Sequence, residues 1–369
     1  MNILYVSHLT NNPWAGPSYS VPAQIEAQSK IDNVFWYNIS NTEKAKEWKS
    51  ISYYHDNEEF PEQRIGLLPK PFNNPDIVVV EQFYNMAKCP ILRELMYGKI
   101  PYIIVPRGEL TIDAQNRKRL KKFFANNLCF KKFARNAAAI HFLTEQERIS
   151  SGNKWNAKSY VIPNGIAHIS NGSKLFSESV IKCVSIGRIE PYQKGLDLLV
   201  EACARIKDRL LEANVKIELY GPDVDGKSVE LEKIIHENDL DDILSIHGPV
   251  FNEEKKNVLE KSDVFLMPSR FEGHPMALIE ALSYGLPCVV TPGSNMQREV
   301  EQFSCGWCSE FKLDALAGVL CEVVKKRDCF GKFSENAKKL ASGYCWEKIA
   351  EKERFIFENI VKFNDVVSL

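Results

Sequence analysis

Short runs of consecutive apolar residues, separated by amphipathic stretches, are the feature that most limits what this chain can fold into. Such runs are predicted as strands at residues 3–6, 77–80, 102–105, 138–142, 160–162, 180–186, 215–220, 264–267 and 288–291. Many of them lack polar alternation, which is typical of parallel strands covered by helices on both faces. Amphipathic segments such as residues 196–206 and 252–259 lie between them. This succession predicts an α/β fold with doubly wound parallel sheets.

The length of 369 residues is sufficient for two domains of ordinary size. The turn Pro163-Asn164-Gly165 and the polar stretch after it predict a boundary between one domain at 1–165 and a second at 166–345. The last helix-like stretch lies within 346–369 and could pack against either domain. Crossing back to the first domain is the expectation.

The composition argues against several classes of protein. The formal net charge of -1 is unlike the strongly basic balance of a dedicated nucleic-acid-binding protein. The apolar runs are all shorter than the roughly 18 residues of a membrane span. Residues 1–6 lead straight into a predicted strand, without the basic region and cleavage site of a signal peptide. A cytoplasmic protein is therefore expected.

The most informative stretch is residues 268–282, with the sequence PSRFEGHPMALIEAL, which follows a predicted buried strand. Gly273 permits a tight turn, and Pro275 suits the first position of a helix, where its missing N–H costs nothing. The helix N-terminus then lies at the carboxyl end of a strand, where open α/β sheets bind ligands. Its free amides favour an anion such as a phosphate group.

Two glutamates, Glu272 and Glu280, stand eight residues apart in this stretch. The sequence neighbours of Glu280 are apolar, so its carboxylate is costly there unless groups such as sugar hydroxyls donate hydrogen bonds to it. The alternative is that Glu280 caps a neighbouring loop and Glu272 is a solvated turn residue. The context of strand, glycine, proline and apolar helix favours the ligand.

A second element, GRIEPYQKG at residues 187–195, follows a predicted strand and leads into a helix. Arg188 and Lys194 are expected at the carboxyl end of that strand. Two cations there suit a diphosphate, because arginine binds phosphate with two hydrogen bonds and lysine acts as a point charge. Ordinary loop cations are the alternative interpretation.

The two elements resemble the E-x7-E and G-R-x5-K-G motifs of the retaining glycosyltransferases of family 4. That family has the GT-B fold, in which two Rossmann-like domains face each other across a cleft. The resemblance implies that Glu272 contacts the transferred sugar, Glu280 contacts the ribose, and Arg188 and Lys194 hold the donor diphosphate. Catalytic roles are thus implied for Glu272, Arg188 and Lys194. Further donor contacts are implied at Gly273, His274, Pro275, Met276, Ala277, Leu278 and Glu280, and in loops after two other strands at Tyr220 and Val250.

The resemblance also implies the reaction. A nucleotide sugar is the donor, a saccharide or lipid-linked saccharide is the acceptor, and front-face attack retains the anomeric configuration without a cofactor or metal. A hexosyltransferase of cell-surface polysaccharide or glycolipid assembly is expected. The pair Asp223 and Asp225, which could suggest a metal-dependent transferase, lies in a Gly/Pro turn and is interpreted as loop. A sugar-nucleotide epimerase and a non-catalytic membrane-docking protein remain alternatives. A dinucleotide oxidoreductase is disfavoured, because only Gly16 stands where a glycine fingerprint is needed.

The first half of the chain departs from the family. Ala15-Gly16-Pro17 has one glycine where two are common, and Arg107 stands where many members have a histidine. An arginine cannot act as a base. Gly16 and Arg107 are therefore candidates for binding an anionic acceptor or the donor phosphate, with Glu109 as an orienting acid.

Residues 117–135 contain many cations and no acids, with leucine and phenylalanine interleaved. This pattern predicts one or two basic amphipathic helices on an anionic membrane surface, which Lys118, Lys121, Lys122 and Lys131 would face. A solvated basic face over an ordinary core stripe is the alternative. Cys305 and Cys308 have the spacing of redox motifs, but the sequence offers no second pair with clear metal-ligand spacing, so a structural role is favoured.

Overall fold

The structure, a computed structural model, describes residues 1–11, 16–42, 45–116, 119–167, 169–170, 172–223, 226–272 and 274–363, without the side chains of residues 88 and 113. The chain divides into two compact units. Unit 1 comprises Met1–Ala167 and Trp346–Leu369, and unit 2 comprises His168–Cys345. The first segment of unit 1 thus ends two residues beyond the boundary suggested by the sequence.

Unit 1 is built on a parallel sheet with helices on both faces. Its strands are β1 (Asn2–Ser7), β2 (Asn33–Asn38), β3 (Tyr54–Asp56), β4 (Ile77–Glu81), β5 (Tyr102–Val105), β6 (Ala139–Phe142) and β7 (Ser159–Val161). They pair in the order β3-β2-β1-β4-β5-β6-β7. The helices of this segment are α1 (Pro17–Ser29), α2 (Pro90–Tyr97), α3 (Ile112–Asn116), α4 (Arg119–Ala125), α5 (Lys131–Asn136) and α6 (Glu145–Ser151). A π-helix, Asn126–Phe130, joins α4 to α5.

The strands of unit 1 are apolar at consecutive positions because both faces of the sheet are covered. Side chains alternate between the faces of a strand. Leu4 and Val6 of β1 therefore belong to one hydrophobic cluster, and Ile3 and Tyr5 belong to a second. The register places Leu4 beside Phe35 of β2.

Unit 2 repeats the same plan. Its strands are β8 (Ile181–Ile186), β9 (Val215–Tyr220), β10 (Leu244–His247), β11 (Val264–Met267), β12 (Cys288–Val290) and β13 (Gly306–Cys308). The parallel order β10-β9-β8-β11-β12-β13 is that of a Rossmann sheet, with the switch point between β8 and β11. Its helices are α7 (Pro191–Lys194), α8 (Leu196–Arg205), α9 (Lys207–Glu212), α10 (Lys227–Glu237), α11 (Asn252–Lys261), α12 (Met276–Ser283), α13 (Gln297–Phe303), α14 (Leu313–Lys325) and α15 (Phe330–Ala341).

The last helix, α16 (Trp346–Phe363), belongs to unit 1 and packs against α1. Its buried residues include Ile349 and Phe357, which join the same cluster as Ile3 and Tyr5. Glycine is needed at position 165, because a Cβ atom there would lie 2.5 Å from the Trp346 ring. The predicted turn at Gly165 is therefore also the place where the returning chain docks.

Short 3-10 turns complete the described structure, at Lys46–Ser50, Ile65–Leu67, Tyr84–Lys88, Pro292–Ser294, Arg327–Cys329 and Ser342–Tyr344. Cys308 lies on the edge strand β13, and Cys305 directly precedes it. Burial raises the pKa of Cys308 to about 12, whereas a reactive thiol needs a lowered pKa. This pair is part of the sheet edge.

Candidate functional site

The loops that follow β8, β9 and β11 lie at the carboxyl edge of the unit 2 sheet, where they approach one another closely. A Cβ atom on Gly221 would lie 1.6 Å from the carbonyl oxygen of Gly187. A Cβ atom on Gly195 would lie 1.9 Å from the carbonyl oxygen of Pro268, and the φ of Gly195 is +66°. Glycine is required at these positions because any side chain would collide with backbone. The Gly195 contact brings Lys194 against the loop that contains Glu272.

Lys194 and Glu272 form an ion pair at this edge. The Nζ atom of Lys194 lies 2.7 Å and 3.0 Å from the two carboxylate oxygens of Glu272. The hydroxyl of Ser269 donates a hydrogen bond of 2.6 Å to one of the same oxygens. The Glu272 side chain is only 8% exposed, so its charge is largely shielded from bulk water and is strongly held by its partners.

Arg188 stands beside this pair, with its side chain in solvent. Its Nη2 atom donates to Oε1 of Gln193 at 2.9 Å, and Nε2 of Gln193 donates to the carbonyl of Phe271 at 3.4 Å. Arg188, Lys194, Ser269 and Tyr220 line one small pocket. Two cations in one pocket at the carboxyl edge of a Rossmann sheet can bind a diphosphate.

The loop that carries Glu272 is held by the segment after β12. Oγ1 of Thr291 donates to the carbonyl of Ser269 at 2.6 Å, and Nδ2 of Asn295 donates to the carbonyl of Glu272 at 2.7 Å. Gly293 allows this approach, because a Cβ atom there would lie 2.2 Å from the carbonyl oxygen of Ser269. Roles for Ser269, Thr291 and Asn295 were not predicted from the sequence, because their hydroxyl and amide groups belong to no recognised motif.

Helix α12 begins at Met276, so the expectation that Pro275 is its first residue is corrected by one position. Pro275 is the N-cap residue, and its carbonyl accepts the backbone N–H groups of Leu278 and Ile279 at 3.0 Å and 3.1 Å. Nδ1 of His274 lies 3.0 Å from the sulfur of Met276. Ala277 is half-buried in the first turn. Gly273, a predicted donor contact, lies outside the described residues.

The expectation that apolar neighbours isolate the Glu280 carboxylate is wrong. Oε2 of Glu280 forms an ion pair with Nζ of Lys255, which lies on α11. Glu280 is 32% exposed, because only one side of α12 is buried. This contact could not be predicted from the sequence, because Lys255 and Glu280 lie on different helices.

Tyr220 is the last residue of β9, and Val250 follows the neighbouring strand β10. The ring of Tyr220 stacks on His247 with centroids 4.7 Å apart, and its hydroxyl donates to Glu218 at 2.9 Å. Burial raises the pKa of Tyr220 to about 12. Val250 lies in the loop after β10 and is half-buried.

Arg107 is buried in unit 1 and donates four hydrogen bonds to side chains there, which differs from the expected anion-binding role. Its Nε atom donates to Glu81 at 2.6 Å, and its side chain is 5% exposed. Its terminal nitrogens donate to Ser20 and Gln24 at 3.1 Å and to Asn164 at 3.3 Å. A buried arginine with these acceptors holds together β4, α1 and the turn that follows β7.

The other two predicted residues of unit 1 also have structural partners. Glu109 accepts hydrogen bonds from the backbone N–H groups of Phe83 and Tyr84, the latter at 3.2 Å, and burial raises its pKa. Gly16 is the N-cap of α1, and its carbonyl accepts from the N–H groups of Tyr19 and Ser20 at 3.1 Å. Ala15 lies outside the described residues.

A buried polar cluster that was not predicted from the sequence joins α16 to the unit 1 sheet. Oε1 of Glu353 lies 3.4 Å from Nδ1 of His141 and accepts from Nε2 of Gln24 at 2.8 Å. Nε2 of His141 lies 2.7 Å from the carbonyl of Ile162, so it carries the ring proton. Nδ1 then accepts a hydrogen bond from Glu353 when that carboxyl is protonated.

The basic segment exposes apolar side chains on α4 and the π-helix. The exposed fractions are 76% for Leu120, 59% for Phe123, 63% for Phe124 and 85% for Leu128. Phe130 and Phe133, on the other side, are buried in the core. We call the four exposed residues, Leu120, Phe123, Phe124 and Leu128, the apolar face.

The lysines that were predicted to face a membrane surface differ in their exposure to solvent. Lys121 is exposed, and Lys131 is half-buried with its Nζ atom 2.8 Å from Asn127. Lys122 points inward instead, because Nζ donates to the carbonyl of Ala114 at 2.5 Å and lies 4.9 Å from the centre of the Tyr84 ring. Lys118 lies outside the described residues.

The described ranges contain neither a metal-binding cluster nor a membrane-spanning helix. Within them, no group of three or more His, Cys, Asp or Glu side chains could hold a metal ion. Asp223 instead accepts from the backbone and hydroxyl of Ser228 at 3.2 Å and 2.8 Å, at the start of α10, and Asp225 falls in one of the gaps. In the same ranges, every helix is too short or too polar to cross a membrane.

Comparison with known proteins agrees with this geometry. Residues 170–340, which lie within unit 2, match the family of glycosyl transferases, group 1. The chain is 33% identical to the amylovoran biosynthesis glycosyltransferase AmsK of Erwinia amylovora over 147 residues, 38% of this chain and 35% of that protein. It is 32% identical to the provisionally assigned colanic acid biosynthesis glycosyltransferase WcaL of Salmonella typhimurium over 149 residues, 38% of this chain and 36% of that protein. It thus spans about a third of the length of these curated relatives.

The fold is also that of the glycosyltransferase WaaG of lipopolysaccharide biosynthesis, which superimposes with a TM-score of 0.62 at 14% identity, over 98% of this chain and 100% of that one. Anabaena HepE, solved in complex with UDP, superimposes with a TM-score of 0.73 at 16% identity, over 97% of this chain and 100% of that one. This likeness confirms the predicted α/β class and the GT-B fold. The family match and the names of the relatives support a glycosyltransferase.

Proposed function

We propose that this protein is a retaining glycosyltransferase that moves a hexose from a nucleotide sugar to a hydroxyl of a saccharide or lipid-linked saccharide. The observation that carries the proposal is the ion pair of Lys194 and Glu272, which lies beside Arg188 at the carboxyl edge of the unit 2 sheet. The donor diphosphate binds between the two cations. The resemblance to family 4 supports retention, and the UDP bound to HepE supports a nucleotide donor.

In the proposed reaction, the bond between the sugar C1 and the diphosphate oxygen breaks, and a bond from C1 to the acceptor oxygen forms. The acceptor proton passes to an oxygen of the departing diphosphate on the same face of the sugar. Arg188 and Lys194 stabilise the negative charge that grows on the leaving group, which is an electrostatic contribution to catalysis. Glu272 orients the sugar and fixes the Lys194 ammonium, so no covalent intermediate with the protein is needed.

Unit 2 holds the rest of the donor in this proposal. Glu280 accepts hydrogen bonds from the ribose, and the loops at Tyr220 and Val250 receive the base. The backbone from Gly273 to Leu278 contacts the sugar and the diphosphate. No divalent metal is required, because protein cations neutralise the diphosphate. Unit 1 binds the acceptor.

A panel of UDP-, GDP-, ADP- and dTDP-hexoses tests the proposal. One donor should bind, as judged by a shift of the melting temperature, and should release its nucleoside diphosphate slowly in water and faster with a saccharide acceptor. An isomerised nucleotide sugar as the product would instead identify an epimerase. A protein that neither binds nor consumes any member of the panel would contradict the proposal.

The names of AmsK and WcaL support a place in the assembly of a cell-surface polysaccharide. In this proposal, the protein meets a lipid-linked acceptor at the inner face of the cell membrane. We propose that the protein docks there peripherally through the apolar face. Arg119, Lys121 and Lys132 accompany that face as exposed cations.

Energetics favour insertion over electrostatic attraction alone. Burial of a Leu or Phe side chain contributes roughly 1.5–3 kcal/mol, whereas each cation near an anionic surface contributes about 1 kcal/mol. Salt screens the charges but not the apolar contribution. Docking is therefore expected to weaken at high salt without disappearing.

Sedimentation with vesicles of phosphatidylglycerol and phosphatidylcholine tests this surface. The double substitution Leu120→Ser and Phe124→Ser should abolish binding that persists at about 1 M salt, where the Debye length is only ~3 Å. Lys121→Gln with Lys131→Gln should weaken binding only at low salt. Leu175→Ser, at a residue of unit 2 that is 90% exposed, is the matched control and should bind like the wild type. Wild-type protein that ignores these vesicles at low salt would contradict membrane docking.

A further inference from the structure

Lys255 and Glu280 come from two helices of unit 2, and their side chains meet. Lys255 lies in the first turn of α11, five residues after Val250, and Glu280 lies near the middle of α12. Their side chains are 26% and 32% exposed, so the pair is partly shielded from water and remains open to a ligand. Lys255 thus connects α11, the helix that follows the proposed base loop at Val250, to the carboxylate of Glu280, which is proposed to bind the ribose.

We propose that Lys255 is a positioning residue that holds the Glu280 carboxylate ready for the ribose of the donor; this inference rests on the proposed function. The ammonium of Lys255 binds Oε2 of Glu280. Oε1 is then the atom that accepts a hydrogen bond from a ribose hydroxyl. Lys255 acts through Glu280 and does not itself contact the donor.

The physical reason is preorganisation. A glutamate side chain loses rotamer entropy when it is fixed, and without Lys255 this loss would accompany donor binding. An ion pair that fixes the carboxylate beforehand reduces that part of the free energy required for binding. The rest of α12 offers no substitute, because Leu278, Ile279, Ala281 and Leu282 are buried in the core.

The next residue provides a matched control. Lys256 is also on α11, but its Nζ atom pairs with Glu253 of the same helix at 3.2 Å, and its side chain is 42% exposed. Lys256→Met therefore removes a lysine of the same helix without touching Glu280. Lys255→Met removes the ion pair and keeps a side chain of similar length.

The experiment measures dissociation constants by calorimetry for UDP, GDP, ADP, dTDP and inorganic pyrophosphate. For the nucleoside diphosphate that the wild type binds most tightly, Lys255→Met should weaken binding about tenfold, because the Glu280 side chain then loses its rotamer entropy on binding. Lys256→Met should leave it unchanged. Pyrophosphate, which has no ribose, should bind Lys255→Met and the wild type equally. Lys255→Arg should recover most of the loss.

A double-mutant cycle shows whether Lys255 acts through Glu280. Lys255→Met should cause no further loss in a Glu280→Gln background, because the carboxylate it positions is already gone. Additive losses, or an unchanged affinity in Lys255→Met alone, would overturn the proposal. Weaker pyrophosphate binding would overturn it as well, because Lys255 would then hold the diphosphate. Failure of the wild type to bind any nucleoside diphosphate would instead overturn the proposed function on which it rests.

Discussion

The ammonium of Lys194 lies within 3.0 Å of both carboxylate oxygens of Glu272. The two residues are far apart in sequence, and Gly195 brings them together because its backbone packs directly against Pro268. Each charge holds the other in place. In the proposed function, a diphosphate that approaches from the Arg188 side would meet an oriented ammonium, and a sugar beyond it would meet an oriented carboxylate.

Replacement of Glu272 by glutamine should lower turnover far more than it weakens donor binding. Glutamine keeps the size of the side chain but loses the charge that fixes Lys194 and orients the sugar. Loss of one preorganised electrostatic contact typically reduces kcat about 10²–10³-fold. Steady-state kinetics with the preferred donor measures this split between kcat and KM.

Glu310→Gln is the control for that substitution. Glu310 pairs with Lys312 in unit 2, and their side chains are 67% and 74% exposed. The Glu310→Gln variant should have the kcat of the wild type. Equal kcat in Glu272→Gln and the wild type would show that the Glu272 carboxylate has no role in the reaction.

Activity should not depend on a divalent metal, because Arg188 and Lys194 neutralise the diphosphate. Enzyme treated with a chelator and dialysed should retain its rate of nucleoside diphosphate release. Manganese or magnesium added back should change that rate less than twofold, a difference of under ~0.4 kcal/mol in the barrier. Enzyme that is inactive after chelation and recovers with manganese would favour a metal site that includes Asp223.

Glu353 should make the protein less stable as the pH rises from about 6.5 to 8. Burial raises the pKa of Glu353 from 4.5 to about 8, and burial lowers the pKa of His141 from 6.5 to about 4. Between pH 4.5 and 6.5 the pair holds one proton in both the folded and unfolded states. Between 6.5 and 8 only the folded state holds it, so the free energy of unfolding falls by about 2 kcal/mol at ~1.4 kcal/mol per pH unit.

Urea unfolding of the wild type and of Glu353→Gln at a series of pH values tests whether the free energy of unfolding falls as predicted. Glutamine needs no extra proton, so the fall between pH 6.5 and 8 should be absent from the variant. The difference between the two stability curves isolates the pair from all other titrating groups. Parallel curves across this window would show that Glu353 is ionised in the folded protein.

Strands with unbroken apolar runs, and one strand in which polar residues alternate with apolar ones, could be predicted from the sequence with accurate bounds. Tyr102–Val105, Val215–Tyr220 and Val264–Met267 have the predicted limits in the structure. Strands β2, β3, β10 and β13 were not predicted from the sequence. Strands β3 and β10 are short and interrupted by polar residues, and β13 contains glycine and cysteine. Only β2, with the run Val34 to Tyr37, had a signal that could have been used.

The site was predictable where a motif fixes the backbone, and unpredictable where distant side chains meet. The glycine and proline positions around Lys194 and Glu272 indicated two loops at one edge of a sheet. The partner of Glu280 could not be foreseen, because Lys255 lies on another helix. Arg107 was assigned to an anion for the same reason, since its four acceptors come from three separate segments.

The most direct test of the central claim is the affinity of the preferred nucleoside diphosphate for the wild type and for Lys194→Ala, measured by calorimetry. Loss of a charged hydrogen bond to phosphate should weaken binding about tenfold to a hundredfold. Lys312→Ala, at a solvent-exposed ion pair of the same unit, should bind like the wild type. Equal affinities for the wild type and Lys194→Ala would contradict the assignment of this pocket to the donor diphosphate.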